Sequence, residues 1–195
     1  MIQKKAISLR RWLPALLIVS LSAVNLMLIG QNFKLRALLA SRGNGIDVTA
    51  NSLKAGDVVA NVSTSDLSGH PYELRYNDGK KLLLLFLSPH CPFCVHQAPL
   101  WRSVLNKIDT TRVNVVGVVG SREDHQAVSA HLEEFGYSKT KTTLRIVVFD
   151  DASLARYKLV GTPTTLLIDD KGRVEHAWIG MWNEDVTNEV AAVLK

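Results

Sequence analysis

Six consecutive apolar residues, Leu82 to Leu87, run straight into Ser88-Pro89-His90-Cys91-Pro92-Phe93-Cys94, and this junction constrains the fold more than any other stretch. An unbroken apolar run between turn residues has no polar face to show to water. It predicts a strand buried on both sides, as in a parallel or mixed sheet covered by helices. Pro92 suits the first turn of a helix, where the N–H it lacks would have had no intrahelical partner. Cys91 then falls at about the N-cap. Free amides and the positive end of the helix dipole favour a thiolate there, and the thiolate is the species that attacks a disulfide. Cys94 follows one turn later on the same side, within reach of Cys91. In C-x-x-C sites the first cysteine's pKa typically falls from about 8.5 to about 3.5–7.5. Cys91 is therefore the expected nucleophile and Cys94 the expected resolving thiol.

Other uses of the pair fit less well. Zinc needs four ligands as a rule, and only one C-x-x-C is present, with His90 and His96 as the nearest helpers. Haem attachment requires histidine directly after the second cysteine, where this chain has Val95. A static disulfide between Cys91 and Cys94 would close too small a loop to remove much chain entropy. No metal and no cofactor is expected.

Charge distribution separates two parts of the 195-residue chain. The net charge of +5 suggests nucleic acid or membrane. Residues 1–42, however, hold seven basic residues and no acid, which leaves residues 43–195 slightly acidic, at −2. Nucleic acid is excluded as a partner on that basis. Leu13 to Asn32 is free of charge for 20 residues, the length a helix needs to cross a bilayer core of about 30 Å. Lys4, Lys5, Arg10 and Arg11 precede it and favour a cytoplasmic N-terminus, although Lys34, Arg36 and Arg42 weaken that bias. A cleaved signal peptide would need a small-x-small site after the apolar run, and Leu38-Leu39-Ala40 puts a large residue where a small one is wanted. The expected organisation is a cytoplasmic N-terminus (1–12), a transmembrane signal-anchor (13–32), a tether (33–52) and one globular domain (53–195). The domain would then lie on the extracytoplasmic, periplasmic side of the inner membrane, in an oxidising compartment.

Along the tether, Phe33 to Ser41 is expected to be helical and Arg42-Gly43-Asn44-Gly45 irregular. Val58–Thr64 and Tyr72–Tyr76 read as a hairpin around Asp66-Leu67-Ser68-Gly69. A helix is expected from Pro92 to Ile108, bent at Pro99. Val113–Val119 reads as a second buried strand. Ala127, Val128, Leu132 and Phe135 give a helix between Glu123 and Phe135 one apolar face. Leu144–Phe149, a short helix at Ser153–Tyr157, strands at Leu166–Ile168 and Val174–Ile179, and a final helix capped by Asn183 complete the pattern. The order implies an α/β fold, a central mixed sheet with helices on both faces.

Three motifs in this order match a known family: Leu53-Lys54-Ala55-Gly56-Asp57 with Asp66-Leu67-Ser68-Gly69; Cys91-Pro92-Phe93-Cys94 with Pro99; and Gly161-Thr162-Pro163-Thr164-Thr165 leading into Ile168-Asp169-Asp170-Lys171-Gly172. Over residues 53–182 the chain resembles the membrane-anchored thioredoxin-like proteins of the TlpA/ResA kind, within the redoxin superfamily. The Ser88-Pro89-x-Cys91-Pro92-x-Cys94 wording is also similar to the MauD branch, associated with assembly of disulfide-containing methylamine dehydrogenase. The resemblance implies a thioredoxin-like fold and thiol-disulfide exchange at Cys91 and Cys94. It also implies a cis Thr162–Pro163 peptide against the cysteines, with Thr162, Pro163, Pro92 and Phe93 receiving the substrate.

The chain departs from the family in two respects. Ser88-Pro89-His90 stands where many thioredoxin-like proteins have tryptophan, and the apolar strand 82–87 holds no equivalent of thioredoxin's buried acid. His90 and Glu123 are the candidates for proton transfer, His90 also as a cation beside the thiolate. His70, His96, His125, His131 and His176 read as surface residues, and Trp178 and Trp182 as packing. The expected function is reduction of extracytoplasmic protein disulfides, with protein dithiols and disulfides as substrates and an electron donor in the membrane. A disulfide-forming maturation factor, a thiol peroxidase and a copper-binding module of the Sco type are the alternatives. Sco proteins space their cysteines more widely, and a proline pressed on the cysteines would obstruct a metal.

Overall fold

The computed structural model describes residues 13–41, 50–140 and 144–194. The N-terminal segment 1–12 and residues 42–49, with the expected irregular stretch Arg42-Gly43-Asn44-Gly45, lie outside these. The chain divides into two compact units, residues 1–47 and 48–195. The described residues of the first form one helix, α1 (Leu13–Ser41), in which the uncharged span and the expected helical stretch Phe33–Ser41 are continuous. Its apolar window, Ala15–Lys34, has no buried residue and is long and apolar enough to cross a membrane.

The second unit is built on a seven-stranded mixed sheet with β1 (Val62–Asp66), β2 (Pro71–Leu74), β3 (Lys81–Phe86), β4 (Val113–Gly120), β5 (Arg145–Phe149), β6 (Thr164–Ile168) and β7 (Val174–Ile179), in the order β2-β1-β5-β4-β3-β6-β7. Strand β3 is interior, parallel to β4 through Leu84↔Val116 and antiparallel to β6 through Leu84↔Leu166. Leu83, Leu85 and Leu87 enter one core with α2 (Pro92–Leu105) and α5 (Glu184–Val193). Leu82, Leu84 and Phe86 enter the other, with Tyr157 at the end of α4 (Asp151–Arg156). That period-2 division explains why the run is apolar throughout: both faces are covered. Each of these side chains contributes about 1.5–3 kcal/mol on burial. Helix α3 (His125–Glu134) joins the first core through Val128.

Four expectations are corrected. The first strand is β1, not Val58–Thr64, because the backbone of residues 56–59 pairs instead with the β6–β7 turn: Val59 N–H donates to Gly172 at 2.8 Å and Val174 N–H to Asp57 at 2.8 Å. Gly172 has φ +80°, and a Cβ there would collide with the Val59 carbonyl oxygen. The partner strand is β2, which stops at Leu74 and leaves Tyr76 to bury itself and bond the Tyr157 hydroxyl across the second core. Helix α2 ends at Leu105, where the amides of Lys107 and Ile108 both turn back to Val104. His131 is not a surface residue: it is 4% exposed, with its ring 4.7 Å from that of Phe135 and stacked on Tyr137. The inner stripe of α3 is therefore Val128 and His131, one turn apart, with Leu132 and Phe135 only half-buried. Burial holds the His131 pKa below its ordinary 6.5.

Candidate active site

Strand β3 delivers the chain to its C-terminal edge at Leu87, whose amide still bonds Val118 of β4 at 3.0 Å. Beyond it the Cys91 amide donates to the Ser88 carbonyl at 3.2 Å, closing a tight turn into α2. Cys91 is the N-cap, with extended backbone (φ −87°, ψ 112°), and Pro92 occupies the first helical position. The Cys94 and Val95 amides donate to the Cys91 carbonyl at 3.0 and 3.3 Å. Both cysteines are free thiols, Cys91 half-buried and Cys94 fully buried.

Gly161-Thr162-Pro163 comes up beside this helix end from the opposite side, at the head of β6. The Thr162–Pro163 peptide is cis, and the Cys91 thiol donates to the Thr162 carbonyl at 3.2 Å. The loop is tied on both sides. Thr164 Oγ1 donates to Gly161 at 2.7 Å, and Gly180 N–H, just past β7, donates to the Pro163 carbonyl at 2.8 Å.

The two thiols differ in their electrostatics. Partial burial pushes the Cys91 pKa up, but hydrogen bonding to its sulfur from the Thr162 side chain, from Cys94 and from the Phe93 backbone outweighs it, so the net shift is downward from 9.0. Burial pushes the Cys94 thiol up to about 12. Tyr137, buried in the same core, is kept neutral by its burial and by the charge an ionised Cys94 would carry. The arrangement supplies one accessible nucleophile and one buried thiol a turn behind it, as stepwise thiol exchange requires.

His90 and Glu123 are brought together, His90 Nε2 lying 4.0 Å from Glu123 Oε2. His90 is exposed and its nearest ionic partner is this carboxylate; the hydrogen bonds acting on Cys91 come from Thr162, Phe93 and Cys94. Phe93 is 57% exposed and Pro92 is exposed beside it. Exposed Val160 precedes the Thr162 loop, and exposed Met181 follows Gly180. Trp178 and Trp182 are packing residues, 7% and 4% exposed, in the core beneath.

Sequence reasoning missed the supports of this site. Gln97, fully buried one turn after Cys94, accepts the Trp182 amide at 2.8 Å and fixes the loop after β7 to the cysteine helix. Trp101 Nε1–H donates to Thr165 Oγ1 at 3.2 Å and ties the same helix to β6, a bond worth about 1 kcal/mol. A glutamine on the inner line of an otherwise apolar helix face was the available signal.

The redoxin family profile matches residues 54–194. The thiol-disulfide oxidoreductase ResA of Halalkalibacterium halodurans is 25% identical over 142 residues, covering 73% of this chain and 78% of that one. The sporulation thiol-disulfide oxidoreductase A of Bacillus subtilis is 30% identical over 107 residues, 53% of this chain and 62% of that one. Among solved structures, the thioredoxin domain of a thiol-disulfide oxidoreductase from Bacteroides vulgatus superposes with a TM-score of 0.60 at 23% identity, over 74% of this chain and all of that one. StoA of Bacillus subtilis gives 0.52 at 24% identity, over 69% of this chain and 98% of that one. Sheet order, the helix-capping cysteine and these likenesses agree: the chain belongs to the redoxin family and is a thiol-disulfide oxidoreductase of thioredoxin-like fold.

Proposed function

We propose that the protein is a membrane-anchored reductant of protein disulfides on the extracytoplasmic face of the inner membrane. Residues 13–32 span, 33–52 tether, and 53–195 carry the chemistry. The Cys91 thiolate attacks one sulfur of a substrate disulfide. A Cys91–substrate bond forms and the substrate's other sulfur leaves as a thiolate. Cys94 then loses its proton and attacks Cys91, forming the Cys91–Cys94 disulfide and releasing the second substrate thiol. A dithiol donor in the membrane returns the two electrons.

The substrate segment lies extended along Thr162 and Pro163, against Pro92 and Phe93, with Val160 and Met181 extending the apolar surface around Cys91. His90 and Glu123, paired at the rim, exchange protons with the departing thiolate. The groups around Cys91 support the reducing direction. The Phe93 side chain offers neither charge nor hydrogen-bond donor, and His90 faces Glu123, so thiolate stabilisation rests on the Thr162 side chain, Cys94 and the backbone at the helix end. A modestly stabilised thiolate keeps the reduced form a good donor.

The observation that carries this reading is the contrast between the two thiols, one at the helix start with a lowered pKa and one buried with its pKa at about 12. Full-length Cys94→Ser protein, expressed in a bacterial host, tests it. Thiol-trapped membranes should contain adducts of this protein with other proteins that collapse on adding dithiothreitol. Cys91→Ser should give none. Adducts of equal yield from both variants would refute the assignment.

A further inference from the structure

Helix α1 is apolar around its whole circumference except for a few polar positions, and two of these share one line. Asn25 and Asn32 are seven residues apart. Reading outward from them gives Ile18, Leu21, Asn25, Leu28 and Asn32 at successive a and d positions of a heptad, and the sequence continues the register with Leu35 and Leu39. Leucine therefore holds d at 21, 28 and 35, while a alternates from isoleucine through two asparagines to leucine. Ile18, Leu21 and Leu28 are 65%, 55% and 56% exposed, and Asn25 and Asn32 are exposed as well.

In a bilayer core these amides are costly. Asn25 lies about 4 Å along the axis from the middle of the uncharged span, and Asn32 about 10 Å further on, at 1.5 Å per residue. The Asn25 side chain donates to the Leu21 carbonyl at 3.1 Å, which uses one of its two N–H groups and leaves its carbonyl oxygen unpaired by that bond. Ser20 folds its hydroxyl onto Leu17 at 2.9 Å and so satisfies itself within the helix. Polar groups at membrane depth face a partner, and side-chain amides associate helices by hydrogen bonding across the interface.

The chemistry of the partner follows from the chemistry of the face. An amide is both donor and acceptor, so it is complementary to itself. All copies of an anchor insert with the same orientation, so a two-fold axis along the membrane normal sets Asn25 against Asn25 and Asn32 against Asn32. Asparagine at a with leucine at d is also the pattern that selects a parallel, two-stranded, in-register pair. The flanking e and g positions, Leu17, Ser22, Val24, Ile29 and Gln31, carry no charge to oppose it. We propose that α1 pairs in parallel with α1 of a second copy of this chain through the Ile18, Leu21, Asn25, Leu28 and Asn32 seam, so that the enzyme works as a membrane dimer with two Cys91 sites. The inference rests on the reading of α1 as a membrane span.

The test uses the full-length chain in native membranes, with Cys91 and Cys94 replaced by alanine and single cysteines introduced along α1. After oxidation by copper phenanthroline, Ile18→Cys, Leu21→Cys and Leu28→Cys should cross-link to homodimers. Val19→Cys, Leu26→Cys and Phe33→Cys, on the opposite face, should remain monomeric. Replacing both amides with leucine (Asn25→Leu with Asn32→Leu) in the Leu28→Cys background should cut the cross-linked fraction at least tenfold in membranes diluted with excess lipid. Cross-linking that ignores the heptad, survives loss of both amides, or joins α1 to a different protein would overturn the proposal. Carbonate extraction separates the two readings. Protein released to the supernatant defeats the anchor and the pairing together, whereas protein retained but monomeric defeats only the pairing.

Discussion

The asymmetry between Cys91 and Cys94 translates into a rate ratio. At pH 7 a thiol with a pKa of about 12 is ionised to about one part in 10⁵, whereas a thiol at the ordinary value of 9.0 is ionised to about one part in 10². Cys94 therefore has about 1,000-fold less thiolate than an unperturbed cysteine. Part of that is returned, because a more basic thiolate is a better nucleophile. With a Brønsted coefficient of about 0.45, three units of pKa restore about 20-fold. The net deficit is about 50-fold before access is counted, and Cys94 is 0% exposed. Cys91 is shifted the other way, so it labels faster than an unperturbed thiol below its pKa. Reduced protein treated with substoichiometric iodoacetamide at pH 7, digested and mapped by mass spectrometry should carry at least about 50 labels on Cys91 for each on Cys94. The Cys91 rate should rise with pH and level off below the range of an ordinary thiol. A ratio under about five would refute the reasoning, because neither the burial of Cys94 nor the capping position of Cys91 would then be acting.

Equilibrated against glutathione buffers, the protein should show a midpoint near that of thioredoxin, about −270 mV; a value above about −160 mV would make it an oxidant or isomerase. His131 is held neutral by burial, so its folded pKa lies below 6.5 and the unfolded chain binds the extra proton first. Its contribution is complete above about pH 6.5 and is lost as the pH falls through the folded pKa. Urea midpoints should therefore drop more between pH 7.5 and pH 5 in the wild type than in His131→Phe, and equal drops would refute the assignment. Gly172→Ala places a Cβ at positive φ against the Val59 carbonyl. It should cost about 2–4 kcal/mol and lower Tm by about 5–15 °C by circular dichroism; an unchanged Tm would show that the turn relaxes freely.

The parts of the fold legible in the sequence were those where one residue type admits one environment. The Leu82–Leu87 run can only be a strand covered on both faces, and Pro92 after Cys91 can only begin a helix. Asn183 reads as a cap because its side chain has an amide to accept, that of Val186 at 2.9 Å. Legibility failed where tertiary pairing overrode a local pattern. Val58 and Val59 have strand character, yet their backbone is claimed by the turn at Gly172, over 100 residues away. Histidine tolerates water, so position 131 reads as surface in the sequence, whereas the Phe135 and Tyr137 rings pack against it in the fold. At the site, Cys91 and Cys94 were visible from spacing alone. The cis bond at Pro163 came from resemblance, and the ties made by Gln97 and Trp101 came from neither, since a buried hydrogen bond between distant residues leaves no periodicity to read.

The sheet order has a consequence in time. Ribosomes deliver residues at about 5–20 per second. Strand β3 and both cysteines are made early, but Leu166, which pairs with Leu84, comes 82 residues after it. One edge of β3 thus waits about 4–16 s for its antiparallel neighbour. Through that interval Thr162 does not yet exist to bond Cys91, and Trp178 and Trp182 do not yet cover the core around Cys94. The nascent Cys94 therefore titrates as an ordinary cysteine. The chain has only these two cysteines, so its internal oxidation has a single product, but bonds to other chains are open to either sulfur. Discrimination between the two thiols is acquired only as the last sixth or so of the sequence folds into place, and the chain is chemically promiscuous before it becomes selective.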